Sequence, residues 1–151
     1  MTADRKWKGT SLVVPALIWW LVLLAAMMVN GTLRVLVLQP RLGEDLARQV
    51  ACLSGIGILL ALTVPFVDAA GDVGTRALFG VGALWLALTV AFEFVFGRHV
   101  SGASWESLLA DYELRRGRLW SLVLLTVLFA PWLVSLVRRR GRSLSRAASR
   151  S

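Results

Sequence analysis

One residue invites chemistry before any other. Glu93 stands inside a long apolar run, ALFGVGALWLALTVAFEFVFG at residues 77–97, where it is the sole charge. A charge near the middle of a bilayer costs about 2.5–3.5 kcal/mol on insertion scales. Glu93 lies toward the end of its run, which lowers that cost, but it must still be protonated or held by a cation. Arg98, five residues on, is poorly phased for an i,i+4 pair. Arg34 and Arg118, at the ends of neighbouring apolar runs, match Glu93 better by depth. The structural reading is a buried Glu–Arg clasp tying one hairpin to the other. The functional reading is a proton- or cation-binding group on a transport route. A route ordinarily draws on several intramembrane polar groups, and the runs offer only Thr63, Thr89 and Thr126 besides, so the clasp is preferred.

Other reactive residue types are scattered. The single histidine, His99, has no cysteine cluster near it, and one imidazole does not make a zinc site. His99 lies close to Ser101 and Ser104, but a serine nucleophile needs a base that is itself oriented, and this spacing is that of a polar loop. Asp111, with Glu93 and the arginines around it, could face the phosphate of a lipid-linked substrate. No phosphate-cradling glycine loop or dinucleotide fingerprint occurs. No catalytic residue, metal ligand or cofactor is therefore assigned. The lone Cys52 lies in an apolar run, as a small packing residue would.

The elements that must position these residues are four apolar runs, at about 11–30, 50–67, 77–97 and 119–137. Each approaches the roughly 20 residues that a helix needs to cross about 30 Å of hydrocarbon. Continuous runs, rather than short alternating ones, call for helices and not a barrel. Hydrophobic residues make up 57% of the 151 residues and the mean hydropathy is +0.68, beyond an ordinary soluble domain. The first run lacks a clear cleavage site and is read as retained. The fold class is thus all-α: a polytopic membrane protein with four transmembrane helices in two hairpins, in a domain spanning 1–137.

Trp7, Trp105 and Trp120 fall near span ends, where indole rings favour the interface. Trp19, Trp20 and Trp85 lie deeper and read as packing residues. Small residues at Ala77, Gly80, Ala83, Ala87 and Ala91 form a stripe along the third helix, and Ala47, Ala51 and Gly55 form one on the second. Such stripes let helices approach closely.

The first connection, GTLRVLVLQPRLGEDLARQ, contains a chain break at Gln39-Pro40 and a helix start at Gly43-Glu44-Asp45. The second span is therefore allowed to begin as early as Glu44. In the other long connection, Trp105, Leu108, Leu109 and Tyr112 share one helical face. That pattern predicts a short interfacial helix before the fourth span, with Asp111, Arg115 and Arg116 beside it. Together these residues form a candidate partner surface.

The net charge of +8 and the sequence pI near 11.4 would suit nucleic acid, but the basic residues cluster between and beyond the spans, as topology signals do. No nucleic-acid-binding motif is visible. Four spans place both ends on one side. The RRRGR run directly after the last span points to cytoplasmic termini, although the other side also carries arginines at 34, 41, 48, 98, 115, 116 and 118. The basic tail at 138–151 lacks apolar periodicity and is expected to be disordered, resting on anionic lipids.

The stretch FEFVFGRHVSGASWESLLADYELRRGRLW, residues 92–120, resembles the signature of a family of uncharacterised bacterial integral membrane proteins. The match is carried by Phe92, Glu93, Phe94, Gly97, Ser104, Trp105, Leu108, Leu109, Asp111, Tyr112, Gly117, Arg118, Leu119 and Trp120. NGTLR at 30–34 is similar to an earlier part of the same family. The resemblance implies a four-span, multi-pass protein of the bacterial inner membrane and implies no reaction.

The leading expectation is a non-catalytic membrane module that binds other membrane or envelope proteins, or a second copy of itself. Arg, Trp and Tyr are common anchors for such contacts. The alternatives are a small oligomeric transporter or channel using Glu93, and an enzyme acting on a lipid-linked substrate.

Overall fold

The computed structural model describes residues 12–99 and 119–148, with side chains described for 12–96 and 119–141. Among these residues the chain is helical apart from turns. Helix α1 spans Val13–Leu33 and runs through a π-helical turn, Arg34–Leu38, into the short α2, Gln39–Leu42. Helix α3 spans Glu44–Ala70, α4 spans Thr75–His99 and α5 spans Trp120–Ala148. Four stretches are long and apolar enough to cross a membrane: Val13–Leu42, Glu44–Ala70, Thr75–Phe96 and Trp120–Gly141. The all-α, four-span architecture is what the hydropathy pattern implies.

The helices form a four-membered ring. α1 and α5 each pack against both α3 and α4, which puts α3 and α4 on one diagonal. Across it Phe66 of α3 meets Trp85 of α4, with ring centroids 5.1 Å apart. Both side chains are fully buried. They centre a core that includes Ala16, Leu23, Leu59, Val81, Val127, Ala130 and Val134. Large rings at such positions remove the most apolar surface for one backbone position.

α1 is the least embedded helix. Val13, Val14, Leu17, Ile18, Leu21, Val22 and Val29 all face outward, as side chains solvated by acyl chains do. Polar atoms compensate for the thin apolar contact. Trp19 Nε1 donates to the Leu62 carbonyl of α3 at 2.8 Å. That oxygen lies one turn before Pro65, whose missing N–H weakens the α3 ladder there. Asn30 Nδ2 donates to the Ala51 carbonyl at 2.8 Å, and Ser54 Oγ donates back to Asn30 Oδ1 at 2.9 Å. Thr63 and Thr126 instead bond to their own helices, at Leu59 and Leu122.

The first connection departs from expectation at Gln39-Pro40. The chain stays helical through both residues and breaks at Gly43, where φ is +78°, a conformation that glycine adopts without steric penalty. The reason lies just upstream. In the π-helical turn the Gln39 N–H donates five residues back, to Arg34 O. That wider register shifts the carbonyls with which the Pro40 ring would otherwise clash. The second span starts at Glu44, the early start that Gly43-Glu44-Asp45 allowed, ahead of the position 50 read from hydropathy alone.

The small-residue stripe on the third span needs correction. Gly80, Ala83, Ala87 and Ala91 are exposed, and a Cβ at Gly80 would meet open space. The close approach occurs at Gly82, where a Cβ would lie 1.9 Å from the Leu128 carbonyl oxygen of α5. Seating Trp85 in the core turns the alanine stripe to the outside. On α3 the stripe holds: Ala47, Ala51 and Gly55 are buried, and the Met27 side chain of α1 lies across Gly55.

The tail differs too. α5 continues as helix to Ala148 in place of the disordered segment expected from 138. Extending an existing helix avoids the cost of nucleation, and Arg and Ala propagate it well. The expected interfacial helix lies outside the described residues.

At the end of the bundle that holds the α3–α4 turn, Arg138 forms a two-point ion pair with Asp68. Arg139 bonds Asp72 at 2.9 Å and the Val73 carbonyl at 3.0 Å. The first pair joins α5 to the last turn of α3, and the second joins it to the turn that follows.

Candidate functional site: a two-chambered cavity

At the opposite end the ring is not filled. α1 leaves the core near Met27, α3 enters near Arg48, α4 approaches its end at Glu93 and α5 begins at Trp120. Two adjoining cavities lie among them. One, of about 270 Å³, is walled by apolar and aromatic side chains, chiefly Trp20, Leu23, Phe92 and Val127. The other, of about 570 Å³, is polar, with Asn30, Arg34, Gln39, Glu44 and Arg48 in its wall. Met27, Glu93, Trp120 and Val123 line both, so the carboxylate stands at the junction.

The geometry at the junction is defined by one bond: Trp120 Nε1 donates to Glu93 Oε2 at 3.0 Å. Trp120 is the first residue of α5. Its indole, expected as an interfacial anchor, instead presents an N–H to a carboxyl group inside the bundle. The bond ties α4 to α5, within the second hairpin. Thr89, one turn below Glu93, lines the apolar chamber and accepts a hydrogen bond from Trp20 Nε1 at 3.1 Å. Thr89 and Glu93, four residues apart, thus share the face of α4 toward the cavity.

Arg34 sits in the first position of the π-helical turn, half-buried, and lines the polar chamber together with Glu93. Among the described residues its guanidinium has no hydrogen bond or ion pair. Arg48 and Glu44, one turn apart at the start of α3, pair at 2.6 Å. Cys52 is buried in the same wall. Arg98 lies in the last turn of α4, and its side chain is not among those described. Trp105, Asp111, Tyr112, Arg115, Arg116 and Arg118 lie outside the described residues.

Several wall residues carried no sequence signal of their own. Asn30 read as the end of the first span, Glu44 as part of a helix start and Gln39 and Arg48 as connection residues, and they meet only because α1 and α3 run antiparallel. Trp120 could have been found. Glu93 lies four residues before the end of one predicted span and Trp120 one residue into the next. Antiparallel neighbours therefore bring them to similar depth.

The chamber walls suggest what can enter. Met28 and Phe96, on the rim of the apolar chamber, are 49% and 37% exposed. That chamber thus opens sideways between α1 and α4. Its floor is closed by Leu59 and Val127, next to buried Trp85 and Phe66. Among the described residues no group of three His, Cys, Asp or Glu side chains could hold a metal ion. No family model matches the chain, and neither a curated protein nor a solved structure matches it.

Proposed function

We propose that this is a non-catalytic module of the bacterial inner membrane that takes up part of a membrane amphiphile, head group in the polar chamber and chain in the apolar one. The observation behind this reading is the junction: an apolar chamber and a charged chamber share four wall residues, Met27, Glu93, Trp120 and Val123. A pocket that is largely apolar with a few convergent polar groups is the usual form of a small-molecule site. A continuous conduction route gains less support. Thr63 and Thr126 are bonded to their own helices, and the aromatic core lies beneath the chambers. The docking of other membrane or envelope proteins expected from Trp105 and Tyr112 draws its support from the sequence alone.

Both termini are placed in the cytoplasm in this reading, on the strength of the basic residues after the last span. The cavity then faces the outer leaflet. Cysteine accessibility in intact cells tests the orientation, using a Cys52→Ser background with single probes at Ser104 and Ser145. Labelling of Ser104 from outside with Ser145 protected supports it, and the reverse pattern inverts the molecule.

The amphiphile reading is tested by native mass spectrometry of protein released from a mixed-lipid membrane. Wild-type protein should retain a bound lipid. Val123→Phe, which fills the junction from a side chain that is 1% exposed, should lose it while keeping its thermal unfolding temperature within a few degrees. Equal retention by both proteins would sink the reading.

A further inference from the structure

The apolar chamber is short and broad. Along α5 its wall runs from Trp120 at the junction to Val127 at the floor, which the helical rise makes a depth of about 10 Å. The floor is blind: Leu59 and Val127 are buried, and the Phe66–Trp85 pair lies next to them. The volume of about 270 Å³ is large for that depth. A single file of methylenes about 4 Å across by contact distance, and as long as the chamber is deep, has a volume of roughly 130 Å³. At the packing density of protein interiors it accounts for roughly 170 Å³ and leaves about a third of the chamber unfilled. Two such files side by side would need more than the chamber holds.

The walls are not free to close on a thin chain. Trp20 is pinned by its N–H to Thr89 at 3.1 Å and meets Phe92 edge-on, with ring centroids 6.5 Å apart. Phe92 in turn stacks on Phe96 at 5.4 Å, and the Trp120 N–H is bonded to Glu93 at 3.0 Å. Space left empty against such walls forfeits dispersion contacts and carries the cost of a cavity.

We infer that the chain held here is isoprenoid: one methyl-branched prenyl chain, not a straight acyl chain. This rests on the amphiphile reading and adds the chemical class of the chain. The methyl branch of each isoprene unit widens a chain without lengthening it, as a chamber broader than a single file and blind at its floor requires. The remainder of a longer prenyl chain leaves by the side opening between α1 and α4, where the flexible Met28 side chain can adapt to it.

The experiment is ligand competition read by native mass spectrometry on the full chain. Farnesyl phosphate is set against dodecyl phosphate, which matches its backbone length, and pentadecyl phosphate, which matches its carbon number. Hexahydrofarnesyl phosphate keeps the branches and removes the double bonds. All carry the same head group, so the polar chamber contributes equally to each. The expected result is retention of farnesyl phosphate over either straight-chain phosphate by about tenfold, below the full cavity cost because the walls relax in part. Hexahydrofarnesyl phosphate should stay within about threefold of farnesyl phosphate. Leu24, half-buried, lines only the apolar of the two chambers. Leu24→Phe takes up the room that the branches use and should bring the preference close to one, with the straight-chain phosphates still retained.

Equal retention of farnesyl and straight-chain phosphates, a preference lost in the saturated branched chain, or a preference unchanged in Leu24→Phe overturns the isoprenoid assignment. Retention of any of these ligands that is lost in Val123→Phe still upholds the amphiphile site. No ligand retained in any arm overturns both. The wild-type competition decides the chain class even if Leu24→Phe fails to accumulate.

Discussion

Trp85 of α4 donates its indole N–H to the Ala16 carbonyl of α1 at 2.8 Å. One turn farther along both helices the roles reverse, and Trp20 of α1 donates to the Thr89 hydroxyl of α4 at 3.1 Å. The two bonds form a reciprocal ladder between parallel helices separated in sequence by the second span. They fix both the height and the rotation of α1, whose apolar contacts alone are thin. They also set Trp20 as a wall of the apolar chamber.

Removing one rung should loosen α1 modestly. Interhelical hydrogen bonds in membranes average about 0.6 kcal/mol and reach about 1.7 kcal/mol. Trp20→Phe should fall in that range, and Trp85→Phe should exceed it because a fully buried ring also loses volume. The double variant should depart from additivity, since both bonds restrain one helix. Thermal unfolding in detergent of the four proteins closes the cycle.

Gly82 and Gly80 should respond oppositely to the same change. Gly82→Ala drives a methyl group into the Leu128 backbone, 1.9 Å from its oxygen, and should destabilise by about 2–3 kcal/mol as α4 and α5 are forced apart. Gly80→Ala meets open space and should be neutral or stabilising by up to about 1 kcal/mol from helix propensity. The same unfolding assay reads both, and equal effects would contradict the close approach at Gly82.

Asn30 joins α1 to α3 as both donor and acceptor. Asn30→Ala should cost more than Ser54→Ala, because Ser54 also has a local bond to the Ala51 carbonyl while the Asn30 amide reaches across helices. A difference of about 1 kcal/mol is expected. Raised hydrogen exchange around Ala51 in Asn30→Ala alone would locate the effect.

At the other end, the Arg138–Asp68 pair is exposed, so its removal should hardly change stability. Asp68→Asn should nevertheless alter the local charge count, leaving Arg138 uncompensated. Joined with Asp72→Asn, it should strengthen the preference for cytoplasmic termini in a variant whose N-terminal basic residues are neutralised. Topology reporters at Ser145 would register the gain.

The four spans and their order were legible because a membrane-crossing helix must place some 20 apolar positions in hydrocarbon, and that demand is written in composition. Glu93 announced itself by being charged in such a run. The cavity was not legible. It depends on which face each helix turns inward, and here the alanine stripe at Gly80–Ala91 misled: buried rings such as Trp85 decide rotation more strongly than small residues do. Arg34, assigned by depth, does share a chamber wall with Glu93. The extent of α5 was hidden for a different reason, since helix propagation beyond the bilayer needs no apolar signal.

The π-helical turn at Arg34–Leu38 holds one residue more than an α-helix needs for the same circuit. It behaves as a single-residue insertion absorbed in place. Deleting one residue there would close an ordinary α-helical turn, leave Arg41 on about the same side of the helix and return the Pro40 ring to a carbonyl it now avoids. The extra residue therefore serves the proline: the length of this turn, as much as its composition, lets the helix run through Pro40 to Gly43.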